Sequence, residues 1–418
     1  MGEVSAVGGE TSVSAPSAPP KLWTRAFILV LFGGFLSYAS QQPINPIIAL
    51  YVVHLGGSAA TVGLVSAAFS APSFILRPLV GRLCDSWSAR GVFASGCIIS
   101  GLGSLVILVP SIPFVFLSQM LNGIGWAGLN TGSYTMVAEI APEDRRGAAS
   151  SYLQLARGSL GFYLPYVALK LKAMTGFWLP FLLTGIIGLL AAPTVLGIPE
   201  RSRVKKDVTI QATIREPAPP EGWLDRFFAR QSLLGTTLLF LAMVTGPATN
   251  VFIILYAKHI GVSESGIAVL LLGRGFFSIA SQSVLAGVSD RLGRAPVVAI
   301  GLSTTAASMV LLGLAPNAYW LLIGMITSTV SGSLTPPALQ AWAIDRSSPD
   351  QRGKAMATFS LSFQMGSFVG GIIGGFLIEI IGYRAFYFVG ITPALLGFVL
   401  LLKNWATISA SGPIAVEA

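Results

Sequence analysis

Leu50-Tyr51-Val52-Val53-His54-Leu55-Gly56 returns 205 positions later as Leu255-Tyr256-Ala257-Lys258-His259-Ile260-Gly261. The same shift carries Asn45 onto Asn250 and Asp85 onto Asp290, and a shift of 206 carries Arg146-Gly147 onto Arg352-Gly353. One offset that links four separate sites marks an internal duplication, and a duplication constrains the whole architecture.

Each copy of the heptapeptide closes a long apolar run, and such runs recur along the chain. They fall near 26–53, 59–80, 92–110, 113–138, 148–169, 177–198, 231–257, 264–287, 296–315, 318–343, 354–378 and 385–402. A helix needs about 20 mostly apolar residues to cross a bilayer core. None of these runs alternates apolar and polar residues as a membrane β-strand would. Only 10% of the 418 residues are charged and 53% are hydrophobic, whereas a soluble domain carries about 25% charged residues. That composition excludes a soluble enzyme, a disordered chain and a nucleic-acid binder, despite the net charge of +9. The expected fold is an all-α membrane protein with twelve transmembrane helices in two parallel six-helix repeats. The expected divisions are a disordered tail over 1–20, a first bundle over 21–198, a linker over 199–230, a second bundle over 231–403 and a tail over 404–418.

The basic residues set the expected orientation. With the N-terminus inside, 19 of the 26 Lys and Arg residues fall in inner loops, and seven of those lie in the linker. A bias of this kind places both termini in the cytoplasm, with the chain multi-pass in the cell membrane. The positive charge is then a record of topology, and no nucleic-acid partner is needed to explain it.

Two loops carry a repeated motif. Gly81-Arg82-Leu83-Cys84-Asp85-Ser86-Trp87-Ser88-Ala89-Arg90 follows span 2, and Gly287-Val288-Ser289-Asp290-Arg291-Leu292-Gly293-Arg294 follows span 8. Both resemble the G-x-x-x-D-R-x-G-R-R loop of the major facilitator superfamily, with motifs closest to its efflux permease branch. The first copy departs from the pattern at Ser86 and Ser88, and the second shifts its leading Gly by one position. The resemblance implies that Asp85 and Asp290, with Arg90, Arg291 and Arg294, form an inner gate that locks the outward-facing state. A second repeated pattern supports it: Glu139 precedes Arg146 by seven positions, and Asp345 precedes Arg352 by seven. Each acid ends an even-numbered span and each Arg begins the next, so acid and base can pair across a tight turn.

Three arginines remain inside the apolar spans: Arg77, Arg157 and Arg274. A charge at mid-membrane costs about 2.5–3.5 kcal/mol on insertion scales, so such residues face the bundle interior. Arg77 lies two helical turns before Asp85, where it supports the gate or touches substrate. Arg157 in span 5 and Arg274 in span 8 come from different halves. The resemblance implies that these spans flank a shared cavity, where two arginines would attract an anion; bonding to backbone carbonyls is the alternative. The resemblance also implies that spans 1, 4, 7 and 10 line the cavity. Their polar residues are Gln41, Gln42 and Asn45 in span 1, Trp126, Asn130 and Tyr134 on one face of span 4, Asn250 in span 7, and Thr335 and Gln340 in span 10. No carboxylate falls at mid-depth in those four spans. Gln119 stands where the family's proton antiporters carry Arg, four residues before Gly123. In span 5, Gly158, Gly161 and Pro165 form a thinned version of the exporters' Gly-rich run. Span 11 is richer, with Gly366, Gly370, Gly371, Gly374 and Gly375, as helices in close contact require.

Cys84, Cys97, His54 and His259 form no ligand cluster or nucleophile-base set, so no metal, cofactor or enzymatic activity is expected. The expected function is a monomeric secondary transporter moving a small organic or amphiphilic solute, outward, by rocker-switch alternating access. Import or exchange of organic anions on Arg157 and Arg274 is one alternative, and a non-transporting membrane sensor is another. A coupling proton or a counter-anion would be its further partner.

Overall fold

The computed structural model describes residues 22–142, 145–158, 163–199, 233–285, 287–346 and 352–409. The tail over 1–20, the linker beyond residue 199 and the chain beyond residue 409 lie outside them.

Span 1 comes in two pieces, α1 (Arg25–Gln41) and α2 (Ile44–His54). The interruption falls at Gln42-Pro43, where proline removes a backbone donor. Span 2 is α3 (Ala59–Ile75) with α4 (Arg77–Leu83), and spans 3 and 4 are α5 (Ala89–Val106) and α6 (Ile112–Ile140). Span 5 is α7 (Arg146–Gly158) with α8 (Tyr163–Thr175), and span 6 is α9 (Trp178–Leu196). In the second half, α10 (Leu233–Val244) and α11 (Ile253–His259) make span 7, joined through a π-helical turn at Ala248–Phe252. Span 8 is α12 (Glu264–Leu285), followed by the short α13 (Val288–Leu292), then α14 (Arg294–Leu314) and α15 (Ala318–Asp345) as spans 9 and 10. Spans 11 and 12 are the two parts of α16 (Arg352–Val389), divided at Gly382 (φ 76°, ψ 171°), with α17 (Ile391–Lys403) completing span 12. The short α18 (Trp405–Ser409) follows.

Among the described residues, eight helical stretches are long and apolar enough to cross a membrane by themselves; Arg77–Val106 joins the end of span 2 to span 3, and Thr358–Lys403 holds parts of spans 11 and 12. Spans 2 and 5 are built from shorter pieces, and span 10 carries Ser, Thr and two internal prolines along its 28 residues. Together these account for the twelve.

The repeated heptapeptide does the same work in both halves. Gly56 (φ 84°) and Gly261 (φ 83°) adopt the left-handed conformation that ends a helix with least strain. The Tyr51 hydroxyl donates to the Ile107 carbonyl at 3.2 Å, and the Tyr256 hydroxyl donates to the Ala315 carbonyl at 3.3 Å. Each tyrosine thus ties the end of its half's first span to the end of that half's third.

The motif loops differ from each other. Residues Cys84–Ser88 wind as a π-helical turn, and Ser88 caps α5 by accepting from the Gly91 amide at 3.1 Å. The second copy breaks at Gly287 (φ 74°) and Gly293 (φ 87°), which frame α13. Only the second copy has glycine at its Gly293 position to take the left-handed turn; Ser88, the residue at that point in the first copy, stays extended (φ −168°).

The buried core shows how the halves meet. At the end opposite the motif loops, one apolar core joins Ile47, Tyr51 and Phe181 of the first half to Phe252, Tyr256 and Tyr387 of the second. Towards the motif loops the core splits in two. One part gathers Phe27, Phe93, Leu153 and Val195 from the first half, and the other gathers Leu239, Val298, Leu339 and Leu401 from the second. The halves therefore seal against each other at one end and part at the end bearing the motifs.

Candidate functional site

Between the parted halves lies a cavity of about 1110 Å³. Gln42, Asn45, Ser66 and Phe69 line it from spans 1 and 2, and Ser151, Gln154 and Leu155 from α7. Asn250, Ile254, Leu271, Arg274, Ser278 and Gln282 line it from the second half, with Gln364 and Ser367 from α16. The duplicated asparagines, Asn45 and Asn250, thus reach one cavity from opposite halves. Both sit beside helix interruptions, at Pro43 and at the π-helical turn, where the backbone is irregular and borders a cavity.

Arg274 is the only charged side chain lining the cavity among the described residues. Its guanidinium donates to the Thr249 carbonyl at 3.0 Å and to Asn250 Oδ1 at 2.7 Å. A smaller chamber of about 270 Å³ opens beside it, within the second half. Gly246, Asn250, Arg274, Ser278 and Gln282 line both volumes, and Thr335 lines the chamber.

Arg157 is placed differently. It is 4% exposed and lines neither volume. It donates to the Ser133 hydroxyl, to the Leu129 carbonyl at 3.3 Å and to Asn130 Oδ1 at 3.4 Å. The rings of Tyr38 and Tyr134 each lie 4.9 Å from its guanidinium carbon, close enough for cation–π attraction. The structure therefore does not bring Arg157 and Arg274 into one site. The reason is local: α6 offers Arg157 a carbonyl, an amide, a hydroxyl and an aromatic ring on one face, so its charge is satisfied inside its own half.

The Trp126, Asn130 and Tyr134 face exists as spaced, but it serves this packing. Trp126 packs at a tilt against Tyr38, with ring centroids 4.9 Å apart, and lies behind the cavity residue Phe69, with ring centroids 6.1 Å apart. Gln41 is also turned inward, away from the cavity. Its amide donates to Ser100 and to Asn122 Oδ1 at 2.9 Å in a buried polar knot of the first half. Gln340 lies against Met356, 3.9 Å from its sulfur, and lines neither volume. Of the eleven expected binding residues, Gln42, Asn45, Asn250, Arg274 and Thr335 border these volumes.

Of the expected gate residues, Arg90, Arg146, Arg294 and Asp345 make bonds within their own halves. Arg90 donates to the Ile198 carbonyl at 2.9 Å, fixing the end of span 6. Arg294 donates to the Ser289 hydroxyl at 2.7 Å and pairs with Asp345 at 3.2 Å. Arg146 donates to the Ala138 carbonyl at 3.1 Å, one residue from Glu139. Asp345 thus has Arg294 as a partner from the motif loop; the side chains of Asp290 and Arg352 lie outside the description. Arg291 and Asp85 are exposed at the open end.

Sequence reasoning missed the stripe Arg274, Ser278 and Gln282. Its spacing of i, i+4 and i+8 on an apolar span was a readable signal for one polar helix face. It also missed Ser151 and Gln154, which share a face of α7, and Gln364, an isolated amide in span 11.

The family model of the Major Facilitator Superfamily matches residues 30–253 and 233–412. Multidrug resistance protein 1 of Bacillus subtilis is 25% identical over 373 residues, covering 87% of this chain and 92% of its own. Quinolone resistance protein NorA of Staphylococcus aureus is 22% identical over 381 residues, covering 90% and 96%. The crystal structure of nucleoside transporter NupG superposes with a TM-score of 0.70 at 13% identity, covering 91% of this chain and 99% of that one. Two six-span halves around a shared cavity, with the family match along nearly the whole chain, make this protein a secondary transporter of the Major Facilitator Superfamily.

Proposed function

We propose that the protein exports a small amphiphilic organic solute across the cell membrane by rocker-switch alternating access, as a monomer. One observation carries this reading: a single core joins the halves at one end, two cores separate at the other, and the cavity between them opens there. A solute bound among Asn45, Asn250 and Arg274 would be released when the halves rock to seal the motif end and open the other. The charge bias of the loops supports placing the motif end in the cytoplasm, so this arrangement would accept cargo from inside. Relatives named for multidrug and quinolone resistance support export.

Asp85 and Asp290, with Arg90, Arg291 and Arg294, would latch the motif end once the halves close there, beside the acids Glu139 and Asp345 and the arginines Arg146 and Arg352. Arg157 holds span 5 in register with span 4. A second reading, import or exchange of organic anions, draws on Arg274 as the charged group lining the cavity.

The test is flux from proteoliposomes against a panel of organic anions and lipophilic cations, combined with labelling in intact cells of Ser86→Cys, an exposed position of the first motif turn outside the cavity. Export predicts flux of at least one compound, and labelling by a membrane-permeant maleimide but not by an impermeant one. No flux across the panel leaves the sensor reading, and labelling by the impermeant reagent places the motif end outside.

A further inference from the structure

The halves are duplicated in sequence, and a polar chamber opens within the second of them. Among the described residues its one charge is Arg274, and no carboxylate lines it or the central cavity. A guanidinium carries five N–H donors. Two are engaged, on the Thr249 carbonyl and Asn250 Oδ1, so the fork is held in position with three donors unspent. Thr335 provides a second, independent sign. It is 1% exposed, borders the chamber, and its hydroxyl has no hydrogen-bond partner. The neighbouring Ser and Thr hydroxyls mostly donate back to carbonyls of their own helices, as Thr329 does to Met325 and Thr305 to Gly301. An unpaired buried hydroxyl lining the same chamber as an arginine fork is a donor left for a ligand.

The central cavity next door has a different surface. Phe69, Leu155, Val251, Ile254, Leu271 and Ile279 give it apolar walls. Gly246, Asn250, Arg274, Ser278 and Gln282 form the boundary where the two volumes meet.

We infer that the cargo is an anionic amphiphile bound in two parts. Its oxyanion head (carboxylate, sulfate or phosphate) enters the second-half chamber against Arg274 and Thr335, and its apolar body rests in the central cavity. This deepens the transport reading and rests on it. The head is held by the second half only, and the body touches both halves. Closing of the first half over the body therefore reports occupancy, and Arg157 takes no part in holding the head.

The test uses full-length protein in lipid nanodiscs and three probes with one body: 4-phenylbutyrate, 4-phenylbutan-1-ol and 4-phenylbutylamine, with empty nanodiscs as the control for partitioning. The butyrate is expected to bind at least tenfold tighter than the amine. Arg274→Gln removes that preference, and Arg274→Lys, which keeps the charge without the fork, retains part of it. Thr335→Val breaks no existing hydrogen bond and is expected to weaken the butyrate several-fold while leaving the alcohol unchanged. The inference is overturned if the three probes bind alike or none binds, or if the preference survives Arg274→Gln. An unchanged butyrate affinity in Thr335→Val removes the head from the chamber. Flux of cationic or neutral compounds in proteoliposomes, without any anion preference, would sink this inference and leave the transport reading standing.

Discussion

Arg157 and Arg274 stand at similar depths in spans 5 and 8, and their surroundings set different uses. The Arg157 guanidinium is enclosed by Tyr38, Tyr134, Ser133 and Asn130. Arg157→Ala would orphan those acceptors and leave a void near Gly34, where an added Cβ would lie 3.6 Å from the Arg157 Nε. A loss of about 2–4 kcal/mol is expected, seen as a lower thermal midpoint in detergent. Arg274 faces the cavity and holds only Thr249 and Asn250. Its replacement by Gln is expected to move the midpoint much less and to act on binding. Equal shifts in the two midpoints would contradict this division.

At the scale of elements, the glycines of span 11 divide by the helix they meet. A Cβ on Gly370 would lie 2.0 Å from the Val244 carbonyl oxygen, within the second half. A Cβ on Gly63 of α3 would lie 2.3 Å from the Gly371 carbonyl oxygen, across the halves. Backbone cannot yield as a side chain can, so Gly63→Val would wedge spans 2 and 11 apart. It should cost about 1–3 kcal/mol and reduce flux sharply, whereas Gly147→Ala, with nothing within 4 Å of its Cβ, is expected to be silent. Near the sealed end, the Lys172 ammonium of α8 pairs with Glu264 of α12, joining the halves, and lies 4.9 Å from the Phe177 ring. Any movement that opens this end must part them. Lys172→Ala should therefore speed labelling of Asn45→Cys from the sealed side several-fold, and Lys172→Glu with Glu264→Lys should restore the slow rate. An unchanged rate in Lys172→Ala would show that the pair is no part of the seal.

For the whole molecule, the chemistry of the cavity bears on coupling. Among the described residues no carboxylate or histidine lines it. His54 and His259 sit at the far ends of spans 1 and 7, each 5.1 Å from an aromatic ring, Phe177 and Tyr383 respectively. Lining groups that do not titrate near neutrality predict substrate binding that stays constant between about pH 6 and pH 8. Flux should likewise ignore an imposed pH gradient. A gradient that drives accumulation would show that a proton carrier elsewhere in the chain is coupled to the movement.

The sequence by itself determined the spans, the duplication and the family. These rest on composition, on the length of apolar runs and on a repeated offset, all of which are properties of the chain that need no partner. The same is true of the pairing of Asn45 with Asn250 and of the helix-ending Gly56 and Gly261. Which polar residue faces the cavity was decided only by the tertiary structure. Gln41 and Gln42 are adjacent in sequence, and one helical step of about 100° turns the first into a buried knot with Ser100 and Asn122 and the second to the cavity. Arg157 found its acceptors on a neighbouring helix, and Asp345 found Arg294 from a loop 51 residues away. Helical periodicity gives the angle between side chains on one helix, but the rotation of that helix in the bundle is set by all its neighbours together. The side on which the cavity opens has the same origin. One sequence must be able to seal either end, and the packing of the two halves selects which end is shut.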